Sequence, residues 1–201
     1  VIPNLLSGDI FKPRDKKMVR AALGMDSGKQ VIGFGAAYQN DPVKGSHYLL
    51  AAIEKLDAEN GYSCLVFGET EASFAEGIKI PLFESGKINN HDILAALYNA
   101  CDVFVCPSMI ENLPNVCLEA LFCGIPVAAF RTGGIPDIVE HKKTGYLAEP
   151  YDTGDLYRGI LYCLDNYEEL SRSSVKKAAG DFNSRDTVNK HIKLYEEALK
   201  S

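Results

Sequence analysis

The chain has 201 residues, 46% of them hydrophobic and 24% charged, a balance that supports a folded core and excludes wholesale disorder. Its 21 basic and 27 acidic side chains leave a net charge of -6, which speaks against a nucleic-acid partner, since such binding needs a basic face. No apolar run approaches the ~20 residues that cross a bilayer, so no transmembrane segment is expected.

The opening Val1-Ile2-Pro3-Asn4 has no basic segment or long apolar run, so no signal peptide is expected. The lack of an initiator Met suggests processing, or excision from a longer chain. Cys64, Cys101, Cys106, Cys117, Cys123 and Cys163 sit mostly in apolar segments without a C-x-x-C. They read as buried reduced thiols of a cytoplasmic protein rather than as disulfides or a metal site.

In chain order, residues 1–28 carry Pro3, Gly8, Pro13, Gly24 and Gly28 and read as a lead-in with a short basic helix over Asp15–Leu23. Gln30–Phe34, Ser63–Phe67, Val103–Cys106 and Pro126–Phe130 are short apolar runs without polar alternation, as strands buried on both faces are. Helices are expected over Gly45–Glu59, Asn90–Ala100 and Asn115–Phe122, the last stopping at Gly124. Strands separated by such helices predict right-handed βαβ units and an α/β, doubly wound parallel sheet over residues 29–165. Residues 166–201 read as C-terminal helices packing on it, within a helical stretch from Asp155 that breaks near Asn166 and at 180–183. The amphipathic Arg185–Lys200 is expected to lie against the domain.

Ligands of open α/β sheets collect at the carboxyl ends of the strands, so the loops after Phe34, Phe67, Cys106 and Phe130 are where chemistry is sought. The first loop starts as a dinucleotide fingerprint at Gly33 and Gly35, but Tyr38 stands at the third glycine position. The next helix begins only near Lys44, which counts against a nicotinamide or flavin site. A phosphate-binding P-loop motif is absent. Lys44 reads either as solvated surface or, with the amides of the helix it opens, as a phosphate holder.

After the third run, Glu111 falls in a loop and Glu119 one to two turns into the helix that begins around Pro114, with Asn112 or Asn115 near its cap. At 1.5 Å per residue Glu119 stands about 7 Å from the free amides, the separation of a nucleotide's phosphates from its ribose diol. A carboxylate can accept both diol hydroxyls. Spacing alone leaves two solvated acids as an equal reading. Gly133 and Gly134, followed by Pro136 and Asp137, read as an anion-binding nest or as a tight turn.

Together, Glu111 with Glu119, the run Glu119–Val127, the run Thr132–Asp137 and the run Thr144–Ala148 resemble one family: the nucleotide-sugar-binding half of GT-B fold, retaining glycosyltransferases of the family-four, group 1 type. The likeness runs from Ile2-Pro3-Asn4, similar to the family's interdomain linker, to about Leu156. It implies a Rossmann-like half-domain in which Glu119 binds the ribose diol and Glu111 faces the transferred sugar. The amides of Asn112, Leu113, Pro114's neighbour Asn115 and Val116 would lie beside sugar and diphosphate. Lys44 would neutralise the diphosphate, and Phe83 and Glu84 would sit in a loop flanking the base. Gly35, Ala36, Gly133 and Gly134 complete the expected donor site. At Ala36 many members carry an arginine, so either Lys44 acts with another basic group or diphosphate binding is weaker here.

The resemblance implies Lys44 and Glu111 as catalytic residues, transfer with retention from an NDP-sugar of UDP or GDP type, and no cofactor. No Asp-x-Asp occurs, so no metal is required on that pattern. The acceptor would be a glycan or lipid-linked chain of surface polysaccharide synthesis, at the inner face of a membrane that the full enzyme touches peripherally. An N-terminal acceptor-binding domain would be the missing partner, leaving this piece inactive alone. A GT-B-like sugar-nucleotide epimerase and a non-catalytic interaction domain are the alternatives.

Overall fold

The computed structural model describes residues 3–38, 41–56, 61–69, 72–182 and 184–200. Six strands, β1 (Gln30–Tyr38), β2 (Tyr62–Glu69), β3 (Leu82–Glu84), β4 (Val103–Cys106), β5 (Val127–Phe130) and β6 (Gly145–Ala148), form one sheet. Its order is β3-β2-β1-β4-β5-β6, and every pairing is parallel. This is the doubly wound, Rossmann-like order, in which the chain reverses direction across the sheet between β1 and β4.

Alternate residues of each strand feed two separate cores. Ile32, Phe34, Cys64, Val66, Val103 and Val105 pack on one face beneath α2 (Ser46–Ile53), α3 (Ala72–Gly77) and α7 (Thr153–Asp165). Val31, Leu65, Phe67, Phe104 and Cys106 pack on the other beneath α4 (His91–Ala100) and α5 (Asn115–Phe122). Burial on both faces explains why these runs read as continuously apolar. All six cysteines are buried free thiols.

The lead-in is tied down by charge. Arg20, on α1 (Lys16–Ala22), is 5% exposed; it donates from Nε to the Ala100 carbonyl at 2.9 Å and pairs with Asp102 Oδ2 at 2.6 Å. The same carboxylate accepts from the Val31 N–H at 2.6 Å and meets Lys16 Nζ at 2.6 Å. One acid thus joins the lead-in helix, the start of β1 and the start of β4.

Several expectations are corrected. The edge strands β3 and β6 were not expected as strands, nor was α3 expected as a helix: three- and four-residue runs paired on one side show no period. Helix α2 ends at Ile53 rather than Glu59, and residues 57–60 lie outside the described residues, as does Ile2. Pro114 is the N-cap of α5 and not its first helical residue. Helix α8 (Tyr167–Asp181) does pack on the domain, burying Leu170, Ser174 and Ala178. In α9 (Ser184–Ala198), however, Thr187 is buried while Val188, Ile192, Leu194 and Tyr195 remain exposed. Amphipathic spacing marks an apolar side but does not say what covers it.

Candidate functional site

Because the chain leaves β1 toward β2 and leaves β4 toward β5, the carboxyl ends of β1 and β4 diverge into a crevice at the switch point. A 3-10 turn, Pro42–Lys44, forms its rim after β1. Asp41 caps the turn, accepting from the Val43 N–H at 3.0 Å through its side chain and from the Lys44 N–H at 2.9 Å through its carbonyl. Gly45 closes it at φ +69°, and a Cβ there would overlap the Pro107 carbonyl. Only glycine meets both demands. The Met109 N–H donates to the Val43 carbonyl at 2.8 Å, stitching this turn to the loop after β4.

That stitch brings Lys44 Nζ to 2.8 Å from Glu111 Oε1 across 67 residues. The Lys44 side chain is 34% exposed and that of Glu111 13%. Burial opposes the ammonium, yet the hydrogen bond and charge of Glu111 outweigh it and hold Lys44 above its ordinary value. The pair borders a cavity of about 220 Å³ with Phe34, Gly35, Cys106, Ser108 and Val116. This is below the roughly 300–1,000 Å³ of sites that enclose a drug-sized ligand, so it suits a phosphate or a single sugar ring. A larger hollow of about 460 Å³, lined by Gln30, Asp102 and Tyr167, lies at the opposite ends of the strands. Of its acids, Asp102 is already engaged by Arg20 and Lys16, while Asp165, Glu168 and Glu169 also line it.

Helix α5 begins over the cavity with Pro114 at its N-cap and no side-chain cap, so its first amides remain available to an anion. Val116 lines the cavity, Asn115 is exposed and accepts from Asn4 Nδ2 at 3.1 Å, Asn112 is exposed, and Leu113 packs on the core. Glu119 stands one turn further, about 6 Å along the axis. It does not line the Lys44–Glu111 cavity; it faces α4, where its Oε2 accepts from the Tyr98 hydroxyl at 2.8 Å. Burial pushes its carboxyl above the usual range, and the Tyr98 hydrogen bond and the charge of His91 pull part of the way back.

Gly133, at φ +51°, fits the tight turn, one of the two readings of this pair. A Cβ on Gly133 would overlap the Glu111 carbonyl, and one on Gly134 the Asn112 carbonyl. The Gly134 N–H donates to the Glu111 carbonyl at 3.3 Å, and Thr132 Oγ1 donates to the Ser108 carbonyl at 2.9 Å. Both glycines therefore buttress the 111–112 backbone from behind. Gly35 lines the cavity, and a Cβ on it would overlap the Phe67 ring; of Ala36 only the backbone is described.

Phe83 and Glu84 lie on β3 and not in a loop. Phe83 packs on the core and borders a hollow with Met25 and Ser63, away from the Lys44–Glu111 cavity. Sequence reasoning missed Tyr98, for which helical spacing carries no signal, and the cavity roles of Cys106 and Ser108. Their place at the carboxyl end of β4 was the available clue.

The model of the family described as "Glycosyl transferases group 1" matches residues 29–166. The chain belongs to this family. Curated group 1 relatives include D-inositol 3-phosphate glycosyltransferases of Segniliparus rotundus, 32% identical over 100% of this chain and 47% of that protein, and of Mycobacterium tuberculosis, 29% identical over 95% and 42%. The chain thus spans about half the length of the curated relatives it matches. Among solved structures, sucrose-phosphate synthase from Thermosynechococcus elongatus superposes with a TM-score of 0.85 at 24% identity, covering 99% of this chain and 52% of that one. Anabaena HepE, solved with UDP and glucose, gives 0.83 at 22%, covering 98% and 56%. The C-terminal domain of a group 1 glycosyl transferase from Francisella tularensis gives 0.71 at 19%, covering 87% of this chain and 96% of that domain. The group 1 chain therefore has the GT-B type of Rossmann-like domain.

Proposed function

We propose that this group 1 chain is the donor-binding half of a retaining glycosyltransferase that takes a UDP- or GDP-activated sugar. The observation that carries the reading is the Lys44–Glu111 pair, 2.8 Å apart at the switch point beside the uncapped start of α5. Group 1 membership and the UDP and glucose held by Anabaena HepE support it.

On this reading the diphosphate draws the Lys44 ammonium away from Glu111 and settles against the first amides of α5. Glu111 is then free to accept hydrogen bonds from the transferred sugar, and Glu119 accepts them from the ribose diol. As the anomeric C–O bond breaks, its electron pair passes to the diphosphate, whose growing charge Lys44 and the amides stabilise. The acceptor hydroxyl attacks from the same face, its oxygen bonding to the anomeric carbon while its proton passes to a departing phosphate oxygen. Configuration is retained, and fixed protein charge does the work of a metal.

The acceptor-binding half lies outside this chain, in keeping with its coverage of about half of its relatives. We assign the acceptor to a surface glycan or its lipid-linked precursor at the cytoplasmic face of a membrane. Free buried thiols support a reducing compartment. Relatives named for inositol 3-phosphate make a polyol phosphate the competing acceptor.

Calorimetric titration of the chain with UDP, GDP and ADP tests the donor reading. One nucleoside diphosphate binds, E119A weakens it, and EDTA leaves it unchanged. No binding at millimolar nucleotide, or binding that E119A and K44A leave untouched, overturns the reading in favour of an interaction domain; binding that EDTA abolishes overturns the metal-free mechanism.

A further inference from the structure

The Tyr98 ring is fully buried on α4, with the Phe11, Phe67 and Phe104 rings packed edge-on or nearly so at centroid distances of 6.4, 5.1 and 5.2 Å. Three rings fix its direction, and its hydroxyl emerges toward α5, 2.8 Å from Glu119 Oε2. A phenol so caged cannot follow a moving carboxylate, so the carboxylate must come to the phenol.

We infer that Tyr98 is a positioning residue for the ribose-binding carboxylate: its hydroxyl holds one oxygen of Glu119 so that the other stands free for a vicinal diol. The inference rests on the donor-binding reading of Glu119 and deepens it, because it makes the strength of the diol contact depend on the neighbouring helix α4 as well. Glu119 is half-buried, so a loose rotamer would have other packing to choose from; the Tyr98 bond removes that freedom before the nucleotide arrives.

The groups facing Glu119 are few. Tyr98 and His91 approach from α4, the thiol of Cys117 lies on α5 itself and that of Cys123 on the residue that caps its end. Arg14, from the lead-in, is engaged by Asp92 at 3.0 Å and by the Ile10 carbonyl at 3.2 Å. The Tyr98 hydrogen bond favours the charged carboxylate against the burial that disfavours it. Removing the hydroxyl therefore lets Glu119 take up a proton at a higher pH, where it can no longer accept from both diol hydroxyls.

The test compares UDP with 2′,3′-dideoxy-UDP, and GDP with its dideoxy form, by calorimetry on the wild-type chain, Y98F and E119Q. Y98F keeps the ring and removes only the hydroxyl. It should weaken the riboside about fivefold, the worth of one hydrogen bond, and leave the dideoxynucleotide unchanged, which also shows that the site is intact. Its preference for the riboside should fade at a higher pH than in wild type and return as the pH is raised. The same shift should appear between H91Q and H91Q/Y98F, which lack the neighbouring imidazole.

Should E119Q abolish the riboside preference while Y98F retains both the preference and its pH profile, the positioning role of Tyr98 is overturned and the role of Glu119 stands. Should wild type and E119Q bind riboside and dideoxynucleotide alike, Glu119 does not read the diol, and the inference falls with it. Equal weakening of both nucleotides by Y98F would mean a packing role only and would also overturn it.

Discussion

On the proposed donor-binding role, Lys44 and Glu111 set up a competition at the switch point: a diphosphate would have to take the ammonium from the carboxylate in order to bind. E111Q should therefore tighten UDP rather than weaken it. Two unit charges about 4 Å apart attract by about 4 kcal/mol at an effective dielectric of about 20. With a third of the Lys44 side chain in solvent, water recovers most of that, and partly exposed pairs measure ~1 kcal/mol or less. Taking ~1 kcal/mol, the UDP Kd of E111Q falls about fivefold. K44A removes the charge-assisted contact itself, worth ~1.5–3 kcal/mol, and should raise the Kd by on the order of ten- to a hundredfold. The double variant should resemble K44A, because the carboxylate then has no ammonium to compete for. Calorimetry at low and high KCl measures all three, and the gain from E111Q should shrink as salt screens the pair. Weaker UDP binding by E111Q, or tightening that survives in the K44A background, would refute the competition. In an enzyme carrying both halves, E111Q should combine tighter UDP with slower transfer, since the sugar hydroxyls then meet a neutral amide oxygen in place of a charged carboxylate.

Three further outcomes follow from the scaffold. D102A leaves the buried Arg20 guanidinium without its partner and frees the lead-in from β1, so it should cost ~3 kcal/mol or more in urea unfolding. G134A forces a methyl into the Asn112 carbonyl and should cost ~1–3 kcal/mol while lowering UDP affinity, read by melting and calorimetry together. For Asp155, burial pushes the carboxyl up, but the Glu149 N–H at 2.8 Å, the Tyr146 hydroxyl at 2.9 Å and Arg158 at 3.1 Å hold it below its usual value. A lowered folded-state value gives stability that is present above the unfolded pKa and lost as pH falls through the folded one. D155N should thus be less stable than wild type at neutral pH, and the gap should close in acid; a gap constant down to pH 2 would contradict this.

Much of the architecture was legible because it is local. Val103–Cys106 and Asn115–Phe122 match β4 and α5 residue for residue, since a fully buried strand and a glycine-stopped helix each leave a complete signature in a few positions. The edge strand β3 was illegible, since three residues paired to one neighbour carry no period, and the loop that the resemblance implied for Phe83 and Glu84 is strand instead. The site was half legible. Lys44, Glu111 and Val116 share one cavity, as expected, whereas Glu119 faces Tyr98 instead, and Gly133 and Gly134 support the loop from behind. Residue type announces that a glycine is needed, but not whether a ligand or a neighbouring carbonyl fills the space a Cβ would take.

The amino-acid order alone determined the parallel α/β class, the loops that follow the buried strands and the residue types those loops carry. Those depend on periodicity, chain stops and side-chain chemistry, all of which act within a few residues. Which acid meets which cation was decided only by folding: the hydrogen bond from Met109 to Val43 closes the intervening chain so that Lys44 reaches Glu111 across 67 residues, and α4 packing on α5 gives Glu119 its phenol. Such pairings arise from backbone contacts between distant segments, whose geometry no stretch of sequence contains by itself.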